Sequence, residues 1–397
     1  MKASLYCLFA LLGTQIASAD SIISIPLQKD TITLQNESTK VAYGLYVKVG
    51  DGGHHRLFQL DTGSAAFMAG YSSSAGANQF WGSFDSISGA ENLGESFGSG
   101  VEFYPITPVH AKVTLSNSTG SDLFSFDNVR VGQVKDATNA GPGDWVTDLN
   151  NGQPPLHNKY FGNFGGRLST IGSGSVNEQS VLFSALGQIE GVKGFSIRLD
   201  GGNETLRVIM NDSAGQSYAD QFSFASLMPT SGEANFPISG LPTYSDAPAA
   251  PDNFAVEGSQ VDGASGIFDT GGVAFKIPET PQLPSNLLED GAVIPGANFE
   301  IFMSGAGMVD GQNYEDYVLS FTTTDDANNG KVEQSSPGGG GAYNFGTSIY
   351  HYYEVMYDLE DGVMRFRAIP EPRAIAMGAL CFLGVLLLRR RQSQRHG

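Results

Sequence analysis

Phe58-Gln59-Leu60-Asp61-Thr62-Gly63-Ser64 and, much later, Ile267-Phe268-Asp269-Thr270-Gly271-Gly272 repeat one pattern, an apolar strand running into Asp-Thr-Gly. Downstream of each copy stands the same second tripeptide: Gly162-Asn163-Phe164-Gly165 after the first, Tyr343-Asn344-Phe345-Gly346 after the second. One Asp-Thr-Gly alone reads as a turn. Two copies, each behind an apolar strand and each with its own Asn-Phe-Gly, read as an internal duplication, which fixes architecture before local detail does.

The repeated residues suit a turn that presents a carboxylate. Gly63 and Gly271 allow a tight backbone and the close approach of a second loop. Thr62 and Thr270 offer hydroxyls that can bond across a pseudo-dyad. Two such loops face to face would bring Asp61 and Asp269 within hydrogen-bonding reach. Like charges at that separation cannot both ionise, so the pair would share one proton. The ionised member could take a proton from a water that attacks a carbonyl carbon, while the protonated member donates to the carbonyl oxygen. This chemistry needs neither metal nor organic cofactor.

Around these motifs the body reads as mostly β. The chain has 51 glycines, and short apolar runs are broken by Gly, Asn, Asp and Ser. Tyr43–Val49 and Phe195–Leu199 read as strands, and Ile25-Pro26-Leu27 as a strand of the mature protein. Two short helices are expected, over Glu178–Gly187 and Pro281–Glu289. Asp246–Asp252 and Ser335–Gly341 read as loops.

The termini carry addresses. Residues 1–19 combine Lys2, an apolar Leu5–Leu12 stretch and Ala17-Ser18-Ala19, the pattern of a signal peptide. Residues 369–397 contain Pro370-Glu371-Pro372, an apolar Ala374–Leu388 run and Arg389-Arg390-Arg391. That run is shorter than the ~20 residues that span a bilayer comfortably, and the basic cluster would stay on the cytoplasmic side. Both cysteines, Cys7 and Cys381, fall in these segments, so the body holds no disulfide. Removing the ends takes away six of 22 basic and one of 41 acidic residues, which leaves 16 against 40 and a formal charge of −24. Such a surface excludes nucleic acid as a partner.

The tail resembles the PEP-CTERM sorting signal, which implies transient membrane anchoring and an exosortase-type processing enzyme as a partner. The body, about residues 40 to 368, resembles the pepsin-like aspartic peptidases. Val41-Ala42-Tyr43-Gly44 through Ser64 is similar to the opening strands and first active loop, and Phe97-Gly98-Ser99-Gly100 to the flap tip. Gly162–Leu168, Val181–Leu186 and Gly194–Ser196 follow the order of elements that closes the first lobe. Gly266–Pro278 is similar to the second active loop, and Asn344–Asp358 with Gly362–Phe366 to the closing segment. The resemblance implies two pseudo-symmetric β lobes, residues 20–199 and 200–368, with a central cleft. It also implies an exported endopeptidase acting on peptide or protein substrates through Asp61 and Asp269.

Three positions depart from that family. Phe97 stands where a flap Tyr is usual, and Met68 near the place of the Trp to which that Tyr bonds. Gly272 stands where a Ser or Thr hydroxyl would support the second Asp, while Ser64 keeps that role in the first loop. A catalytically silent, peptide-binding pepsin-like domain of the cell envelope is the alternative these departures motivate. A purely structural exported β protein would leave the paired Asp-Thr-Gly unexplained. Gly94-Glu95-Ser96-Phe97-Gly98 fits a nucleophile elbow but lacks the strand-then-helix setting. His54-His55 and Asp325–Gly330 read as a solvated loop and a turn rather than metal sites.

Overall fold

The computed structural model describes residues 21–34, 39–171, 181–245, 253–262, 266–272, 274–278, 283–335 and 343–370. The signal-peptide segment, the tail beyond Pro370, the Asp246–Asp252 loop and most of Ser335–Gly341 lie outside them. The protein is mostly β, with several sheets.

A ten-stranded sheet fills the N-terminal half. Its path runs Ala137–Thr138, Glu102–Ser116, Asp122–Val134, Phe67–Gly70, Gly162–Gly165, Arg56–Asp61, Thr39–Val49 and Gln28–Thr33. Two short strands, Phe84–Ser86 and Leu93–Ser96, add to the long Glu102–Ser116 strand. The C-terminal half holds a four-stranded sheet and a six-stranded one, the latter built around Gly266–Ile267, Tyr343–Asn344, Phe275–Pro278 and Val332–Ser335. A further six-stranded sheet draws on both halves: Ile22–Pro26, Thr205–Met210, Val192–Arg198, Tyr353–Asp358, Val363–Ala368 and Phe224–Leu227, in that order. The middle of the chain, near Leu199, is a hairpin turn inside this shared sheet.

The duplicated motif becomes a duplicated connection. Arg56–Asp61 runs parallel to Gly162–Gly165, with Gln59 opposite Asn163 and Asp61 opposite Gly165. The strand leaving the first loop, Phe67–Gly70, pairs antiparallel with that same Gly162–Gly165. In the second half Gly266–Ile267 runs parallel to Tyr343–Asn344, with Ile267 opposite Asn344. Phe275–Pro278, leaving the second loop, pairs antiparallel with it, Lys276 opposite Asn344. In both halves, therefore, the Asn-Phe-Gly strand lies between the strands that enter and leave the Asp-Thr-Gly loop.

The phenylalanine of each tripeptide is buried and packs on the loop's own strands. Phe164 meets Phe67 at 4.8 Å between ring centroids, and Phe67 meets Phe58 edge-on at 5.0 Å. Phe345 meets Phe268 at 4.7 Å and Phe275 at 4.5 Å. Such ring clusters combine large burial with tilted or edge-on contacts that add to it. Each one holds its loop strands rigidly from below.

The two helices expected from sequence are not formed as such. Every residue from Val181 to Ile189 is buried, so no solvent face exists for an amphipathic helix; the chain there makes a short strand, Leu182–Phe183, and one 3-10 turn, Leu186–Gln188. Over 283–289 a 3-10 turn, Ser285–Leu287, gives way to the strand Leu288–Glu289. Among the described residues the α-helices are elsewhere and short: Trp145–Asn150, Ser213–Ala219 and Ser348–Tyr352. The first two are capped by Asp144 and Asp212, whose carboxylates accept from backbone N–H groups of the first turn.

Candidate active site

The two Asp-Thr-Gly loops meet and brace each other. The Thr62 backbone N–H donates to Thr270 Oγ1 at 3.0 Å, and the Thr270 N–H donates to Thr62 Oγ1 at 2.9 Å. Each hydroxyl then donates to a carbonyl of the opposite strand, Thr62 to Phe268 at 2.7 Å and Thr270 to Leu60 at 3.1 Å. All four groups are buried, where an unpaired polar atom would cost about 1–3 kcal/mol. Tyr350 and Tyr357 reinforce the joint from below. Both phenols donate to the Phe268 carbonyl, at 3.1 and 3.2 Å, and their oxygens lie 2.7 Å apart.

The brace puts each glycine against the other loop's carboxylate. A Cβ on Gly63 would sit 2.6 Å from the carboxyl carbon of Asp269, and a Cβ on Gly271 2.5 Å from Asp61 Oδ1. Only glycine fits at either place. Asp61 and Asp269 come within hydrogen-bonding reach of one another. Burial pushes the Asp61 carboxyl well above the ordinary carboxylate range, and the Asp269 charge and shared hydrogen bond push it further; Lys40 and Asn163 act against this.

In each half the aspartate is held by two donors, one from its own loop and one from the neighbouring strand. Gly63 N–H donates to Asp61 Oδ1 at 2.9 Å, and Gly271 N–H to Asp269 Oδ1 at 2.7 Å. The other oxygen accepts from the asparagine of the tripeptide: Asn163 Nδ2 to Asp61 Oδ2 at 3.2 Å, Asn344 Nδ2 to Asp269 Oδ2 at 2.6 Å. Sequence reasoning noted Asn-Phe-Gly as a repeat but gave its asparagines no role. Their identical place in both copies was the available signal.

This changes the reading of two loop positions. Ser64 does not support Asp61: its hydroxyl is buried and has no hydrogen-bond partner among the described residues. Gly272 costs the second loop no donor either, because Asn344 occupies the space a side chain there would need. A Cβ on Gly272 would fall 2.5 Å from Asn344 Oδ1. That oxygen in turn accepts from Gly346 N–H at 2.7 Å, which fixes the amide with its Nδ2 toward Asp269.

The carboxylates open into a cleft of about 860 Å³. Its far wall is the hairpin of Leu93–Ser96 and the start of Glu102–Ser116. The tip, Phe97-Gly98-Ser99-Gly100, is closed by Phe97 N–H donating to the Val101 carbonyl at 2.9 Å, with Gly100 at φ 84°. Phe97, Gly98 and Ser99 line the cleft. Phe97 packs edge-on against Phe103 at 5.0 Å, and Phe103 against Trp145 at 5.2 Å, so the hairpin rests on an aromatic stack. Met68 is not part of this wall. It is fully buried in the ten-stranded sheet opposite Asn163 and Gly132, on the core side.

Charged groups also line the cleft: Lys40, Glu95, His157, Arg167, Lys276 and Glu333. Burial raises the Glu95 carboxyl, against the pull of Arg167. Burial, with the Lys40 charge, lowers His157 to about 4. Among the described residues no group of His, Cys, Asp and Glu has the arrangement of a metal site. No model of a known protein family matches the chain, and no curated protein matches it in sequence.

Proposed function

We propose that this protein is an exported aspartic-type endopeptidase of pepsin-like, two-lobed architecture, with Asp61 and Asp269 as its catalytic pair. The observation that carries the reading is the reciprocal packing of the two loops, each glycine against the opposite carboxylate. Two buried carboxylates in that relation share one proton, because ionising both would place like charges in contact. They titrate as a unit.

A peptide bound in extended form along the cleft would present its scissile carbonyl above the pair. The ionised carboxylate takes a proton from a water, and that water's oxygen attacks the carbonyl carbon. The protonated carboxylate gives its proton to the carbonyl oxygen. Collapse of the tetrahedral adduct breaks the C–N bond as the amine nitrogen takes up the proton first removed from the water, while one hydroxyl of the adduct returns its proton to the other carboxylate and becomes the new carbonyl. The Gly63 and Gly271 N–H groups and the two asparagines keep both carboxylates oriented through these exchanges. The Phe97 hairpin covers the substrate. Residues 1–19 direct export, and the tail from Pro370 supplies a transient membrane anchor that an exosortase-type enzyme processes.

The test is purified protein lacking both terminal segments, given unfolded polypeptide across about pH 3–7, the range open to a shared-proton pair. Cleavage that a hydroxyl-bearing transition-state mimic blocks supports the proposal. A protein inert across that range contradicts it. One observation favours a second reading, a silent peptide-binding domain: the hairpin tip offers the apolar Phe97 ring, packed on Phe103, in place of a polar group. Tight peptide binding without turnover would decide for that reading.

A further inference from the structure

Lys40, a charged side chain of the cleft, reaches across from the N-terminal half to the second loop. It lies at the start of the strand Thr39–Val49, is 9% exposed, and donates from Nζ to the Gly271 carbonyl at 2.7 Å. Gly271 is also the residue whose N–H holds Asp269 and whose Cα faces Asp61. The ammonium therefore bonds the residue that touches both carboxylates. Burial lowers the Lys40 pKa from its ordinary value, and the Asp61 and Asp269 charges act against that and favour the ammonium.

A buried ammonium without an anion is expensive, and so is a buried carboxylate pair carrying one net negative charge. Together they form a neutral set: one carboxylate, one carboxylic acid, one ammonium. We propose that Lys40 is a positioning residue of the catalytic pair, supplying the fixed positive charge that stabilises its one-proton state while pinning the second loop to the N-terminal half. The kinetic consequence rests on the peptidase reading; the electrostatic one does not.

Other charged groups share the cleft with Lys40. Lys276, on Phe275–Pro278, approaches from the C-terminal half and is exposed, so solvent screens its repulsion. His157 comes from the segment preceding Gly162–Gly165, and with its proton lost above about 4 it adds positive charge only in acid. Glu95 and Arg167 act on one another at the hairpin side of the cleft. Glu333 is paired with Lys331 at 2.8 Å. Lys40 is set apart by its bond to the Gly271 carbonyl.

The experiment labels aspartate side chains with ¹³C in the full-length chain and follows the Asp61 and Asp269 carboxyl resonances against pH. It compares wild type with Lys40→Met and Lys40→Arg, each also in a His157→Gln background to remove the imidazole's own titration. In Lys40→Met the transition from one proton to two on the pair moves upward by about one pH unit or more; Lys40→Arg stays within about half that shift. Any cleavage profile moves its acidic limb in the same direction. A transition unmoved in Lys40→Met, in protein whose near-ultraviolet dichroism is native, overturns the inference. So does a shift of equal size in Lys40→Arg. Should Lys40→Met fail to fold, Lys40→Gln gives the same comparison. A wild type that cleaves nothing yet shows the Lys40-dependent transition would sink the peptidase reading and leave this inference standing.

Discussion

The Asp61 loop and the Asp269 loop make the same bonds with different neighbours. In each, the glycine N–H and the tripeptide asparagine hold the two carboxylate oxygens, and the threonine binds the opposite loop. In the first loop Ser64 follows the motif, its hydroxyl has no hydrogen-bond partner among the described residues, and Asn163 stands 3.2 Å from Asp61. In the second loop Gly272 leaves room, and Asn344 closes to 2.6 Å on Asp269. Orientation of a carboxylate needs a donor in the right place and not a particular residue to supply it. Both loops take that donor from the asparagine of a neighbouring strand, and the missing side chain at Gly272 leaves Asn344 room for the shorter approach.

The largest expected effect treats the loops as equals. Asp61→Asn and Asp269→Asn should each reduce cleavage by about 10³-fold or more, since each removes one of two proton-transfer groups; initial rates on a peptide substrate check this. A loop whose Asn variant kept substantial activity would break the symmetry of roles. Thermal unfolding measures the same pair differently. Asp61 has its folded-state pKa raised above the unfolded value, so its contribution to stability is present below the unfolded pKa and is lost as pH rises through the folded one. Asp61→Asn should therefore be more stable than wild type near neutral pH. The gap should shrink toward pH 3, about the lower limit of ordinary carboxylate titration.

Next in size come tests that separate the loops. Asn344→Leu should lower kcat by about 10–100-fold, the worth of one hydrogen bond of roughly 1.5–3 kcal/mol to a charged group. Asn163→Leu, losing the longer bond, should cost less. Gly272→Ala should resemble Asn344→Leu, because its methyl displaces the amide from Asp269. If Gly272→Ser instead restored or improved activity, a serine hydroxyl could replace Asn344, and the two loops would be closer in design than their contacts indicate. The smallest effect is expected at Ser64→Ala. Deleting a buried, unpartnered hydroxyl should leave kcat within about threefold and stability equal or slightly higher, as kinetics and thermal melting would report.

Much of this frame was legible in the sequence. The two apolar strands ending in Asp-Thr-Gly and the strand over Tyr43–Val49 announce themselves through local composition, while the tip at Phe97–Gly100 was reached only through the family resemblance. Tyr350, Tyr357 and Lys40 were not legible, because their roles exist only after distant strands meet: Lys40 and Gly271 are 231 positions apart. Asn163 and Asn344 were half legible, visible as a repeat but not as donors. The close approach of Asn344 beside Gly272 depends on the volume a missing Cβ leaves, which no single-position reading contains. The expected helix over Glu178–Gly187 failed for a related reason. The part of it described is buried all round, so the amphipathic period that marks a surface helix does not apply.

The most direct test of the central claim incubates wild type, Asp61→Asn and Asp269→Asn with one mixture of unfolded peptides at acid pH and reads new termini by mass spectrometry. Fragments from wild type and from neither variant are the predicted result. Fragments from all three, or from none while the peptides still bind, would contradict it.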